Sequence, residues 1–351
     1  MLSKESYLHI KQDMENYKIF YPKDRQSFAV RIEELEATVG EYINEEKQNG
    51  RRIVYSKVFL SDIRNQNTMF SESALYTDLL SKAPCSIVGQ APLCGSKIAV
   101  LVKTSDLDEC FRLHSLRLSE DEAEGHRSYM QTMMLFEKYI NYMEAHGLDM
   151  STHLVRTWIY IADIDVNYAG VVKARNDIFE RYGLTADNHY IASTGIGGDS
   201  QSRHASVAID FLTYPEIAEE QKTYLKAPEY LNPTHEYGVA FERATRLTVD
   251  NVSHYYVSGT ASIDNHGDVL YLGDVERQTY RLLENVEALL AEGDAKMSDI
   301  RYFIVYLRDI SDYEVVDAVF SSRFPSVPYI IVHGKVCRPE WLVEAECIAE
   351  K

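Results

Sequence analysis

QTYRLLENVEALLAEGDAKMSDIRYFIVYLRDI, residues 278–310, decides how the chain is to be read. Its first half sets Leu282, Val286 and Leu289 at helical spacing, and a polar joint at Gly293 follows. The second half is a β-branched and aromatic run that closes on Asp309-Ile310. This change of pattern predicts an amphipathic helix followed by a buried strand. The plan is written twice more upstream. Residues 131–164, QTMMLFEKYINYMEAHGLDMSTHLVRTWIYIADI, carry Met134, Phe136 and Ile140, a joint at Gly147 and the close Asp163-Ile164. Residues 26–63, QSFAVRIEELEATVGEYINEEKQNGRRIVYSKVFLSDI, carry Ile32, Leu35 and Val39, Gly50, and Asp62-Ile63. All three open on Gln and end on Asp-Ile, a coincidence that amphipathic helices alone do not require.

After each of these strands a second helix leads to a further strand, in CSIVGQAPLCGSKIAVLVK, HYIASTGIGGDSQSRHASVAIDFL and PSVPYIIVHGKVCRPEWLVEAECIA. The expected architecture is therefore α/β (α+β), built of β-α-β-α-β modules with mixed sheets packed by helices. Residues 1–108, 109–235 and 236–351 are the expected divisions. Only the third copy has a clear hairpin ahead of its helix, from HYYVSGTASI through DNHGD to VLYLGD. The Pro-, Tyr- and charge-rich segment over about residues 215–245 reads as a long connection.

Composition bounds the function. Hydrophobic residues at 45% and charged residues at 26% are those of a globular chain. No stretch approaches the roughly 20 apolar residues of a membrane span, and the first residues lack the apolar region of a signal peptide. Five cysteines without a C-x-x-C pair fit a reducing, cytoplasmic compartment. The histidines show no metal spacing, so no metal and no cofactor are expected. A net charge of −18 argues against nucleic acid, and it obliges any anionic ligand to find its own arginines.

The third module resembles a domain of the RidA (YjgF) superfamily. The resemblance is carried by Ser258-Gly259, Gln278, Asn285, the strand Val305-Tyr306-Leu307-Arg308-Asp309 and the closing run Val343 to Ala349. Proteins of that superfamily are trimers with sites between subunits. The resemblance therefore implies that three modules in one chain form an intrachain pseudo-trimer, itself a monomer. Within the superfamily the chain is most similar to the chorismatases, which release pyruvate from chorismate. Four segments carry this likeness: Val257 to Ile263 with His266; Val336 to Glu346; Val155 to Ile164 with Tyr168, Arg175 and Phe179; and Tyr237, Gly238, Phe241, Arg243 and Ala244. Departures stand at Ile159, Ala174, Ala345 and Tyr190-Ile191-Ala192, and they touch substrate identity more than fold.

Chorismate is a dianion with an enol ether, and its cleavage begins by protonating the enolpyruvyl methylene carbon. A buried carboxylic acid suits that step. Glu344 lies among apolar neighbours and is the acid by resemblance. Strand alternation puts Glu346 on the same face, so either carboxylate is a candidate. Cys337 is the second expected catalytic residue, associated by resemblance with chorismatases that proceed to 3-hydroxybenzoate; a buried structural thiol is the plainer alternative. Arg156, Arg175 and Arg243 are the expected carboxylate-binding residues, with Arg338 in reserve. The backbone of Gly259, Thr260 and Ala261, and the stretch Thr194 to Gly198, are candidate N–H donors to an oxyanion.

Two rival readings remain. An imine deaminase of the RidA type would need, by resemblance, an arginine where Tyr329 stands. A non-catalytic protein that binds a small keto or aromatic acid would keep the arginines and need neither Glu344 nor Cys337.

Overall fold

The computed structural model describes residues 15–23, 27–105, 110–249 and 251–351. Gln26, which opens the first repeat, lies outside the described residues. The other two opening glutamines have a clear physical task. Gln131 accepts from the Ser206 N–H at 2.7 Å and donates to the His204 and Ala123 carbonyls. Gln278 accepts from the Leu342 N–H at 2.9 Å and donates to the Glu340 and Tyr271 carbonyls. Each glutamine thus pins the start of its helix to the backbone just ahead of the last strand of its module, satisfying buried groups that no ladder reaches.

The first module runs β1 (Glu15–Phe20), a helix (Phe28–Gln48), β2 (Arg52–Leu60), a helix (Ile63–Glu72), β3 (Cys85–Gly89) and β4 (Ile98–Ser105). The second runs β5 (Arg112–Leu116), a helix (Ser128–Ala145), β6 (Leu154–Ile161), a helix (Ile164–Arg181), β7 (Ala192–Gly197) and β8 (Val207–Thr213). After β9 (Lys222–Leu225) and β10 (Ala244–Val249) the third follows the same course. It comprises β11 (Val252–Ala261), a helix (Val275–Glu292), β12 (Ile300–Leu307), a helix (Tyr313–Arg323), β13 (Tyr329–His333) and β14 (Val343–Glu350).

The sheets are ordered β1-β4-β2-β3, β5-β8-β6-β7 and β13-β12-β14-β11-β10-β9. In each, the opening strand pairs antiparallel with the closing one, the closing one antiparallel with the second, and the second parallel with the third. The parallel pair is what the crossover helix makes possible. This is a mixed α/β fold with one strand order repeated in each module, consistent with the expected intrachain pseudo-trimer.

Three details depart from the expectation. The final segments read as one strand are each two, separated by residues 90–97, 198–206 and 334–342. The expected hairpin at DNHGD is short: the Asp264 N–H donates to the Asp268 carbonyl, the Leu270 N–H to the Ser262 carbonyl, and Ile263 bridges Val269, while β11 itself pairs with β10 and β14. The segment read as a bare connection supplies β9 at the sheet edge, paired with β10.

Strands buried on both faces hold the assembly together. In β6, Ile159 and Ile161 pack under the module's own helices against Phe136 and Phe179, whereas Trp158 and Tyr160 join the core shared with the other modules. β2 divides likewise, Val58 and Leu60 to its helices, Tyr55 and Phe59 to the shared core. Charge is buried there too. The Arg156 guanidinium meets Glu346 at 2.7 Å, and Trp158 Nε1 donates to the same carboxylate at 2.6 Å. Lys57 from the first module lies 3.4 Å from the Trp158 ring centroid and 3.5 Å from Asp210, which Arg117 also binds at 3.0 Å. Among the described residues no helix is long and apolar enough to cross a membrane.

Because Arg156 is 0% exposed and Glu346 1%, removing one partner strands the other's charge. Arg156→Met is expected to cost about 3–5 kcal/mol in urea unfolding, whereas the double variant Arg156→Met/Glu346→Leu stays near wild type.

Candidate active site

A cavity of about 130 Å³ opens between the second and third modules. β14 and β11 of the third module form one wall, with Glu344 opposite Ala261 in the register. β7 and the Ile164–Arg181 helix of the second module form another, and the segment from Tyr237 to Arg243 closes the third side.

Glu344 is 5% exposed. Burial pushes its carboxyl up to about 8, the charge of Glu346 adds to this, and Arg243 opposes it. At neutral pH the group therefore carries its proton. Glu346, the other candidate, is spoken for by Arg156 and Trp158 and does not line the cavity. Gly259 explains how the acid fits, since a Cβ there would collide with Glu344 Oε1. Its N–H does not face the cavity as a free donor: it donates to Thr194 Oγ1 at 2.9 Å.

The arginines divide. Arg156 was expected to hold substrate, but its guanidinium is taken by Glu346, the Val257 carbonyl and Thr194 Oγ1. An inward-facing strand arginine did need an anion, and the protein itself supplies it. Arg175, 4% exposed, has buried Nε and Nη2 with no partner, and Phe241 lies 6.0 Å from its Cζ. Arg243 donates through Nη2 to the Asn232 carbonyl and Oδ1 while its Nε is unpartnered. Arg338 stands over Tyr237 and Trp341 at 5.0 and 4.7 Å and donates to the Gly267 carbonyl. Unpartnered guanidinium groups in a closed apolar setting call for an anion.

Cys337 lines the cavity beside Tyr168. Burial, reinforced by Glu344, pushes its thiol up to about 12, with Tyr168 and Arg338 opposing. It is a neutral thiol, able to pass a proton but not poised as a thiolate nucleophile. Thr260 does not reach the cavity; its hydroxyl donates to the Ser258 carbonyl. The Thr194–Gly198 stretch is mostly strand rather than a turn, and its Gly197 and Gly198 N–H groups bind the Lys335 and Ile161 carbonyls. Neither stretch forms an oxyanion nest. Trp341, whose buried Nε1 has no partner, was missed by sequence reasoning because an aromatic beside a strand looks like ordinary core.

The site occurs at one module junction because of one strand position. Two residues before each Asp-Ile aspartate stand Leu60, Ile161 and Leu307, which pair with Ile98, Val207 and Val343. The next residues are Ala99, Ala208 and Glu344. Only the third module carries the carboxyl.

Comparison with known proteins bears on the family and the fold. The family model described as Endoribonuclease L-PSP matches residues 241–351. The 3-aminoacrylate deaminase RutC of Acinetobacter baylyi is 31% identical over 103 residues, 28% of this chain and 79% of that protein. A RutC family protein of Pyrococcus abyssi is 34% identical over 98 residues, 27% of this chain and 77% of that protein. The chain belongs to the RidA/YjgF superfamily. The fold is similar to that of a chorismatase crystal structure, with a TM-score of 0.64 at 18% identity, covering 85% of this chain and 92% of that one. The superfamily domain is thus the third module, and the three-module architecture is chorismatase-like.

The proton on Glu344 has a stability consequence. The unfolded chain loses it near the ordinary 4.5, the folded protein near 8, so between these values the folded state binds more protons and stability falls as pH rises. Glu344→Gln is expected to raise the thermal midpoint relative to wild type at pH 8, with the difference vanishing at about pH 4.

Proposed function

We propose that this protein is an enol-ether hydrolase of the chorismatase kind, taking chorismate or a closely related dicarboxylate and releasing pyruvate. One observation carries the reading: a protonated, buried Glu344 faces the same small cavity as the unpartnered guanidinium nitrogens of Arg175 and Arg243. The arginines supply the local positive field that a chain of net charge −18 otherwise denies an anion.

In the reaction Glu344 gives its proton to the enolpyruvyl methylene carbon, and the electron pair of the enol ether forms the new C–H bond. Water adds to the resulting oxocarbenium centre and returns a proton to the carboxylate, and the hemiketal collapses by breaking the bond between the former enol carbon and the ether oxygen. Alternatively the neighbouring ring hydroxyl attacks the ring carbon, the ring C–O bond breaks, pyruvate leaves with the ether oxygen as its ketone, and the ring keeps an epoxide. Negative charge returning to Glu344 is met by Arg243. Cys337, as a neutral thiol beside Tyr168, relays a proton on the ring side and thereby bears on whether a dihydroxycyclohexadiene carboxylate or 3-hydroxybenzoate is formed.

A deaminase reading, suggested by the name of the Acinetobacter relative, is weaker. The arginine that the resemblance requires is replaced by Tyr329, whose hydroxyl donates to Asp317 at 2.8 Å, outside the cavity. The proposal extends to the assembly and the compartment: a single chain fills the trimeric arrangement and works as a cytoplasmic monomer, without metal or cofactor.

Purified protein with chorismate is expected to release pyruvate in a lactate dehydrogenase coupled assay. Glu344→Gln should lose about 10²-fold or more in kcat, and Arg175→Met should raise KM. Cys337→Ala should change the ratio of aromatic to diene product on chromatography while leaving pyruvate release. No pyruvate from the wild type would remove the chorismate reading and leave a binding protein for a small dianion, to be read by calorimetry with the same compound.

A further inference from the structure

Glu346 and its partners stand outside the cavity, yet they form a continuous link to the acid. Arg156 reaches Glu346 and Thr194 Oγ1 with the same Nη2, both at 2.7 Å. Thr194 Oγ1 in turn accepts the Gly259 N–H, and Gly259 is the residue against which the Glu344 carboxyl lies. Both oxygens of Glu346 are used, one by Arg156 and one by Trp158, so the group is held as a carboxylate. Over the indole sits the Lys57 ammonium, 3.4 Å from the ring centroid. A cation on that face draws electron density from the ring and makes its N–H a stronger donor to Glu346. Lys57 comes from the first module, in which the sequence carries no motif of the site.

We propose that Glu346 is a positioning residue for this site: clamped by Arg156 and Trp158, with Lys57 behind the indole, it presents a fixed negative charge that keeps the proton on Glu344. The proposal rests on the reading of Glu344 as the acid. The groups beside Glu344 are Tyr306 from β12, Arg243 just ahead of β10 and Cys337 from the loop ahead of β14, and the same cavity is lined by Tyr168 and Arg175 of the second module, Tyr237 and Arg338. The tyrosines and Cys337 are neutral, and the arginines favour the ionised form, so Glu346 is the charge among these groups that favours protonation. The clamp also explains why a buried ion pair stands where an apolar pair would pack as well.

The test reads the acid directly, without substrate. Infrared spectra of the wild type are expected to contain the carbonyl stretch of a buried protonated carboxyl at neutral pH, titrating near 8 and absent from Glu344→Gln. In Glu346→Gln the midpoint should fall by about one unit or more, and the basic limb of the pyruvate-release profile should fall with it. Because Glu346→Gln strands the Arg156 charge and can fail to fold, Arg156→Met/Glu346→Leu provides the second measurement, with the same direction expected. A folded variant of either kind whose midpoint stays within a few tenths of wild type overturns the role of Glu346. If the band moves as expected but chorismate yields no pyruvate, the role of Glu346 stands and only the substrate reading falls. If the wild type has no such band at neutral pH, both fall.

Discussion

Three sheets from one chain meet face to face, and the groups that meet there include charges with almost no contact with water. Arg156 against Glu346 and Lys57 with Arg117 against Asp210 must pair, because an isolated ion in this setting would cost several kcal/mol. This requirement fixes how the modules sit on one another. Arg156 comes from the second module and Glu346 from the third, while Asp210 of the second, paired with Arg117 of its own module, also takes Lys57 from the first. Apolar packing supplies most of the driving force, but it tolerates sliding; the ion pairs, with their fixed hydrogen-bond directions, do not.

The candidate active site is a by-product of the same junction. One wall belongs to the third module and the other to the second, so the cavity exists only when they are correctly docked. Three-fold repetition would offer three such cavities. At the positions equivalent to Glu344 the other modules have Ala99 and Ala208, and at the Asp210 junction the space is filled by Arg117 and Lys57. The Asp210 junction is thereby given to holding the molecule together, while the junction of the second and third modules carries the cavity. The acidic surface and the arginine-lined cavity are compatible for the same reason: screening confines the repulsion of surface charge to about a Debye length, while buried guanidinium groups act at contact.

The repeat was legible because its signals are local. A helix period, a glycine joint and an apolar strand are properties of neighbouring residues, and the shared Gln and Asp-Ile ends marked the same places in each copy. Local reading failed where pairing is decided at long range. β9 looked like connection because an edge strand needs no apolar alternation. The opening strands β1 and β5 were expected from the module plan but not placed on residues, because their partners, β4 and β8, lie far along the chain. Glu344, Cys337, Arg175 and Arg243 were found from motif and resemblance, and they line one cavity. Arg156 and Glu346 carried signals of the same strength and do not. Sequence establishes that a charge is buried in a strand, not which group answers it.

By itself, then, the sequence determined the element types, the three-fold repetition and the supply of a buried acid and several buried arginines, because these follow from spacing and side-chain chemistry. Only the tertiary structure decided which arginine was paired within the protein and which was left for a ligand. It also separated Glu344, which keeps a proton, from Glu346, which holds a charge. Those distinctions depend on what lies across the junction from each group, and residues contributed there by another module are up to 190 positions away in the chain.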